Sequence, residues 1–492
     1  MNIDSNVRRD RLFLISASFI VLFQELALIR WLPSQVRVLA YFPNVVLISS
    51  FLGLGVGCLL ANRRSLLWTW PVSLLLLVWV FSLGSNIAFT QESIQEHLWL
   101  LYADLPPDAK IVQGIRLPIL TGFVLTATTF VGLGQLVAQL LRRFGSRKKP
   151  LIGYVLDLAG SLLGIAVFTV FSFLRTEAIS WFIAVGLLGL IIARRKTLVL
   201  HLLCWTGIVF VVFSAERAQL YSPYYAMSMK PGHIGGSLYV LTNGSVHQYA
   251  SPVQTSDRLD EAHGLFRYGY HLPYTMLDFE PEKVLVLGAG TGNDVAVALD
   301  QGARQVDVVE IDPVILEIGG ELHPNSPYSS DRVTLYNTDA RVFLSQTDEV
   351  YDLIVYGTLD SMTKLSALSS VRLDNFVYTG EGLEAARKRL SDDGAVILYF
   401  WVETPFIDQR LGVMLNEVFA DPPVVIRKYF LMFNRIFLAG PGIDRDVALE
   451  RGTMFEGGQA EPATDDWPYL YLRDRGITFF YLSVIGGIFL IA

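Results

Sequence analysis

Three observations predict a two-part chain, a multi-pass α-helical membrane bundle followed by a Rossmann-like α/β domain with a small β-domain at its front. Eight apolar runs approach the length of a bilayer span. Between Arg217 and Gly476 charge returns, Pro and Gly recur, and apolar runs shorten to strand length. Within that stretch a strand passes through a Gly-rich turn into a helix. The expected units are 1–216, a transmembrane domain of about seven helices; 217–280, a small β-hairpin domain; 281–475, a Rossmann-like nucleoside-binding domain; and 476–492, a last transmembrane segment.

Composition agrees with this division. Apolar residues make up 52% of the 492 and charged residues 17%, against about 25% charged in a soluble domain. The mean hydropathy of +0.42 places part of the chain in lipid. The net charge of −7, with no basic stripe in the soluble part, argues against a nucleic-acid partner. The two cysteines, Cys58 and Cys204, both sit in apolar runs, so neither a disulfide framework nor a cysteine metal site is available.

The expected spans are Leu12–Arg30, Val38–Ala61, Leu66–Ala88, Leu117–Leu141, Leu151–Leu174, Ala178–Ala193, Thr197–Phe213 and Ile477–Ala492. The sixth and seventh are short. Arg8, Arg9 and Arg11 precede the first run, but no small-residue cleavage site follows it, so a retained helix is expected rather than a signal peptide. The chain stops inside apolar sequence, which is compatible with a longer natural protein. Gly53, Gly55, Gly57, Gly132, Gly134, Gly160 and Gly164 within the spans read as helix-packing positions. Glu25 and Asp157 are acids inside apolar spans, where an ionisable side chain is expensive and calls for a partner; Arg30 is the candidate for Glu25, and both acids serve equally well as functional groups or as helix locks.

Basic residues before span one, after span two, after span four (Arg142 to Lys149) and after span six (Arg194, Arg195, Lys196) mark those loops as cytoplasmic. With seven full spans this puts the soluble part outside, whereas a nucleoside ligand of the Gly-rich turn would come from the cytosol. The two expectations conflict.

In the soluble part, Ser237–Thr242 and Val246–Ala250 flank Asn243-Gly244, a hairpin signal. From Glu282 strands and helices alternate: strands at Val284–Leu287, Val306–Glu310, Val333–Tyr336, Leu353–Tyr356 and Ala395–Phe400; helices at Asn293–Gln301, Val314–Leu322 and Gly382–Leu390, the last ended by Asp392-Asp393-Gly394. Continuous apolar strands alternating with helices predict a parallel sheet covered on both faces.

The chemistry-bearing signal is the run from Val284 through Gly288, Gly290 and Gly292 to Asp294. Its glycines allow a tight turn and close backbone approach to a ligand. The next strand ends at Glu310, whose carboxylate suits two ribose hydroxyls. The third is followed by Asp339-Ala340, an acid suited to an adenine amino group. Three loops at the carboxyl ends of parallel strands converging on one crevice is how open α/β sheets bind ligands. The predicted cofactor-binding residues are therefore Gly288, Gly290, Gly292, Asp294, Glu310, Asp339 and Ala340. His263, His271 and His323 lack metal-ligand spacing, so no metal is expected.

These motifs, with Asp360-Ser361, Ser369 to Leu373 and the tail Thr464 to Leu470, resemble the spermidine synthase family of polyamine aminopropyltransferases, in particular its bacterial membrane-fused members; Gln24-Glu25 and Asp157 in the spans also fit. The resemblance implies the spermidine-synthase and methyltransferase fold with a small N-terminal β-domain, S-adenosylmethionine or its decarboxylated form as cofactor, and a bacterial inner-membrane location. Departures matter. The Gly-rich loop carries Thr291 where the family has Asp, Gly357 replaces the first Asp of the pair after the fourth strand, and Leu265-Phe266 replaces a Tyr-Gln pair. Asp360 remains as the catalytic candidate, with His247, Gln248 and Tyr356 as candidate substrate-binding residues.

A sulfonium is already activated, so catalysis asks mainly for alignment and for a carboxylate to hold and deprotonate an amine. The first expectation is a membrane-embedded transferase moving an aminopropyl or methyl group to an amine or a membrane-borne acceptor. The second is a non-catalytic polyamine or nucleoside sensor acting through the bundle. Expected partners are a small-molecule or lipid acceptor, the lipid bilayer and a second copy of the chain.

Overall fold

The computed structural model describes residues 3–40, 42–84, 87–90, 110–113, 116–216, 218, 220–232, 236–254, 261–359, 376–402, 404–476 and 479–491. Asp360 and the segment 369–373 lie outside the described residues.

The first half is helical: α1 (Ile3–Gln35), α2 (Arg37–Ala40), α3 (Pro43–Leu59), α4 (Thr69–Gly84), α5 (Arg116–Ser146), α6 (Pro150–Phe173), α7 (Ala178–Ile192) and α8 (Leu198–Ala215). Between α4 and α5, β1 (Ile87–Thr90) pairs in parallel with β2 (Lys110–Gln113), so the third expected span ends at Gly84 rather than Ala88. Among the described residues, five helices are long and apolar enough to cross a membrane: Val7–Gln35, Asn44–Asn62, Pro118–Ser146, Pro150–Phe173 and Arg195–Ala215. Two shorter apolar helices, Thr69–Leu83 and Ala178–Ile192, pack among them. The closing segment forms a helix at Phe479–Ile491 that rests on α5.

Glycine sets the closeness of two helix pairs. A β-carbon at Gly57 of α3 would lie 2.3 Å from the Val131 carbonyl of α5, and one at Gly160 of α6 would lie 2.6 Å from the Ile15 carbonyl of α1. Backbones at this distance gain dispersion energy that a larger residue would forbid. The two acids within the apolar helices are locked across helices. Ser50 Oγ donates to Glu25 Oε1 at 2.7 Å, and Ser18 Oγ to Asp157 Oδ1 at 2.5 Å. Arg30 does not pair with Glu25. It donates to Ser172 Oγ at 2.5 Å and to the Ser222 carbonyl, and lies over the rings of Trp181 and Tyr221.

A four-stranded antiparallel sheet follows: β3 (Leu220–Tyr221), β4 (Ala226–Pro231), β5 (Leu238–Thr242) and β6 (Ser245–Ala250). Asn243 and Gly244 turn the hairpin with φ of 48° and 73°, the left-handed pair that matches strand twist. Helix α9 (Glu261–His271) leads into the α/β domain.

That domain has one eight-stranded sheet: β7 (Lys283–Leu287), β8 (Gln305–Val309), β9 (Val333–Tyr336), β10 (Tyr351–Tyr356), β11 (Leu390–Phe400), β12 (Val424–Arg427), β13 (Arg435–Ala439) and β14 (Thr453–Met454), in the order β14-β12-β13-β11-β10-β7-β8-β9. Helices α10 (Asn293–Asp300), α11 (Pro313–Leu322), α12 (Ala340–Gln346), α13 (Gly380–Arg387), α14 (Pro405–Phe419) and α15 (Arg445–Leu449) connect the strands; the helix of the closing segment is α16. The five strands from β9 to β11 run parallel as expected, but β12, β13 and β14 pair antiparallel, so the sheet is mixed. Helix α13 ends at Arg387, and β11 starts at Leu390. Asp392-Asp393-Gly394 does not end a helix; it sits in a register break between β11 and β10.

Two apolar layers cover the sheet, one including Val284, Val286 and Tyr399, the other Leu285, Tyr356 and Phe400. The tail is tied down by Arg410 of α14, fully buried, whose guanidinium donates to the carbonyls of Glu461, Tyr469, Leu470, Leu472 and Arg473. Asp465 accepts from Arg341 and Thr379, both at 2.7 Å, a structural clamp on the tail.

Candidate functional site

The carboxyl ends of β7, β8, β9 and β10 open onto one cleft. Gly288, Gly290, Asp294, Glu310, Asp339, Ala340, His247 and Gln248 all line it. Gly292 lies behind the loop, at the N-cap of α10, against Pro327 and Tyr328.

Local chemistry explains why the loop holds its shape. Gly288, Gly290 and Gly292 adopt φ of 66°, 57° and 108°, a run that residues with a β-carbon strongly resist. Glu310 Oε2 accepts from Gly290 N at 3.0 Å and Oε1 from Asp312 N at 2.9 Å, so this carboxylate both faces the cleft and braces the loop. Gln248 Oε1 accepts from Thr291 N at 2.8 Å and from Thr291 Oγ1 at 3.2 Å, joining β6 to the loop. Tyr328 donates its hydroxyl to the Gly290 carbonyl at 2.6 Å. Asp339 caps α12, accepting from Val342 N at 3.0 Å.

Asn293 and Asp294 open α10 with opposite fates. Asn293 Nδ2 donates to the Tyr249 carbonyl at 2.6 Å, and its Oδ1 accepts from Ser251 N at 3.1 Å and faces His323 Nε2 at 3.0 Å. Asp294 is also buried, yet its Oδ1 has no hydrogen-bond partner among the described residues. Burial pushes the Asp294 carboxyl up to about 7. Burial and the nearby Asp294 charge raise the phenols of Tyr270, Tyr274, Tyr328 and Tyr399. Burial lowers His323 to about 3, which keeps its ring neutral.

Tyr356 is a correction. It is fully buried in the layer with Tyr378 and Phe400 and does not line the cleft; side chains alternate along a strand, and its own is directed into the helix-covered face. Asp360 falls outside the described residues; Thr358 and Leu359, just before it, do line the cleft. Among the described residues no cluster of His, Cys, Asp or Glu could hold a metal ion. The sequence reading missed Asp312, Tyr225, Phe266, Tyr270 and Met432 in the lining. Asp312 before Pro313 could have been found as a helix-cap signal; the aromatic and Met positions give no signal distinct from core.

Residues 269–419 match the family profile described as the spermine/spermidine synthase domain. A polyamine aminopropyltransferase of Streptococcus uberis is 30% identical over 132 residues, 26% of this chain and 42% of that protein. One of Korarchaeum cryptofilum is 29% identical over 192 residues, 36% and 56%. A tRNA1(Val) (adenine(37)-N6)-methyltransferase of Flavobacterium psychrophilum is 28% identical over 175 residues, 33% and 74%. The chain spans about half the length of these two aminopropyltransferases. Among solved structures, a spermidine synthase from Thermotoga maritima is 14% identical, with 53% of this chain and 89% of that one covered and a TM-score of 0.33.

Proposed function

From the premise that this chain is a member of the spermidine synthase family, we propose that it is a membrane-embedded transferase that moves the aminopropyl group of decarboxylated S-adenosylmethionine to an amine. One observation carries the choice of donor. The cleft is lined by Asp294, Glu310, Asp312 and Asp339, with no Lys or Arg among its described lining residues. The carboxylated cofactor would bring an anion that finds no cation there. The decarboxylated form brings an ammonium and a sulfonium into a field of acids. Glu310 and Asp339 hold the ribose and the adenine edge, and the Gly288–Gly292 loop lets the backbone approach the rest. No geometry with a bound cofactor is implied beyond these residues. Asp360, which follows the cleft-lining Thr358 and Leu359 in sequence, is the residue we assign to steering the acceptor.

Isothermal titration of the purified full-length protein in detergent tests this reading. Decarboxylated S-adenosylmethionine is expected to bind more tightly than S-adenosylmethionine by roughly tenfold, about 1.4 kcal/mol, and to yield a thioether nucleoside when an amine is added. Preference for the carboxylated form, or binding of neither, overturns it. In the same assay Asp360→Asn is expected to keep cofactor affinity and slow turnover; an unchanged rate removes its assignment.

A further inference from the structure

We propose that Asp294 is a catalytic residue, the carboxylate that receives the ammonium of the acceptor amine and takes its proton. For its chemistry this rests on the transferase reading; for its geometry it stands alone.

A buried carboxylate without a hydrogen-bond partner is costly and persists where something pays for it. Asp294 is 7% exposed, lines the cleft, and leaves Oδ1 unpartnered among the described residues, while Asn293 beside it is fully engaged. The groups acting on Asp294 come from four elements: Tyr270 of α9, Tyr274 of the turn after it, Tyr328 of the turn before β9, and Tyr399 of β11. None carries a positive charge. The Tyr399 hydroxyl is already donated to the Tyr270 carbonyl at 3.0 Å, and that of Tyr328 to Gly290. Beside the carboxylate stands an aromatic wall. Tyr270 packs against Phe266 at 5.0 Å, Tyr399 at 5.3 Å and Phe433 at 5.2 Å between ring centroids. One acid next to aromatic faces is a site for an alkylammonium.

The backbone explains why the acid comes from α10. A β-carbon at Gly357, at the end of β10, would lie 2.6 Å from the Gly288 carbonyl, so no side chain fits there. The same point is 3.5 Å from Asp294 Oδ2. The carboxylate thus stands where a residue at the carboxyl end of β10 would have reached, delivered from the neighbouring loop and helix instead.

The step balances without a further reactant. The bound ammonium passes one proton to Asp294. Its freed lone pair attacks the carbon attached to sulfur, the C–N bond forms as the C–S bond breaks, and the bonding pair remains on sulfur as a neutral thioether. The product nitrogen keeps the positive charge.

The test uses full-length protein in detergent, with 1,4-diaminobutane and octylamine as amine probes and 5′-methylthioadenosine as a neutral probe of the adenosyl site. Asp294→Asn is expected to bind 5′-methylthioadenosine within roughly threefold of wild type, to lose amine affinity by roughly tenfold, and to lose turnover by roughly 100-fold or more. Amine affinity and turnover within threefold of wild type, with the nucleoside still bound, overturn the proposal and leave the transferase reading intact. Amine binding that Asp294→Asn abolishes, in a wild type that releases no thioether, keeps the ammonium site and overturns both the proton-transfer step and the transferase reading. Should Asp294→Asn fail to bind the nucleoside, the wild type decides alone: its amine affinity is expected to weaken as pH falls through about 7, and a pH-independent affinity, or no binding of either amine, overturns the proposal.

Discussion

At the residue scale, the acids proposed to hold the ligand also brace the fold. Glu310 bonds the amides of Gly290 and Asp312, and Asp339 caps α12. Glu310→Ala and Asp339→Ala are each expected to weaken cofactor binding by about 1–3 kcal/mol, the worth of hydrogen bonds to a charged group. Asp339→Ala also costs about 1 kcal/mol of stability through the lost cap. Calorimetry with 5′-methylthioadenosine and thermal unfolding separate the two effects; unchanged affinity in both variants removes the assignment.

Two buried residues give stability opposite pH dependences. Asp294 has a folded pKa of about 7, above its unfolded 3.8, so the native state holds the proton more readily. That contribution is present at low pH and is lost as pH rises from about 4 to about 7. His323 has a folded pKa of about 3, below its unfolded 6.5, so the native state resists the proton. Its Nδ1 accepts from Asn325 N at 3.1 Å, a bond that protonation destroys. Its contribution is present at neutral pH and is lost as pH falls from about 6.5 towards about 3. Comparing wild type with Asp294→Asn isolates the first group. The thermal midpoint of wild type is expected to gain on that of the variant as pH drops from 7.5 to 5. A gap that stays constant shows that Asp294 does not titrate in this range.

At the element scale, the helix bundle offers an internal control. Gly57 of α3 meets the Val131 carbonyl, whereas a β-carbon at Gly55, two residues earlier, would meet nothing within 4 Å. Gly57→Val must separate α3 from α5 and is expected to cost about 1–3 kcal/mol. Gly55→Val is expected to stay within about 0.5 kcal/mol. Equal midpoints for both variants in detergent would show that this close packing contributes nothing.

The elements also show what was legible. Helices α10 and α11 and strands β7 to β10 were readable because glycine turns and apolar periodicity agree. The hairpin of β12 and β13 was not. Its connection, Lys428 to Asn434, holds five aromatic or large apolar residues and no glycine, and the left-handed position is taken by Leu431 at φ 78°. Turn rules look for Gly or Asn there. The unseen hairpin supplies Met432 to the cleft lining and Phe433 to the aromatic wall beside it, so the acceptor side of the site was hidden with it. The cofactor side was legible because glycines and acids at strand ends have few other reasons to recur.

At the scale of the whole molecule, the cleft is seated on the helix bundle. Val314, Ile315 and Ile318 of α11 share a buried cluster with Trp181, Ile208 and Tyr221. Arg30 of α1 reaches the Ser222 carbonyl, and Ser222 in turn receives the amides of Tyr224 and Tyr225 at 3.1 and 2.9 Å. Tyr225 and Ile315 both line the cleft. In a membrane-embedded bundle, the side on which this face is presented fixes which solutes the cleft meets. The basic loops and seven crossings put it outside; an adenosyl donor puts it in the cytosol. The lengths bear on the conflict. Helices α4 and α7 have 16 and 15 residues, about 24 and 22 Å at 1.5 Å per residue, both short of a hydrocarbon core of about 30 Å. If one of the two enters without crossing, the number of crossings is even and the cleft returns to the side of the N-terminus; if both do, the number stays odd. Under the proposed function, a cysteine placed at Gln254 is expected to be silent to an impermeant maleimide in intact cells and to react once they are permeabilised. Labelling in intact cells would mean an odd number of crossings, a cleft without access to the cytosolic donor, and the loss of the transferase reading.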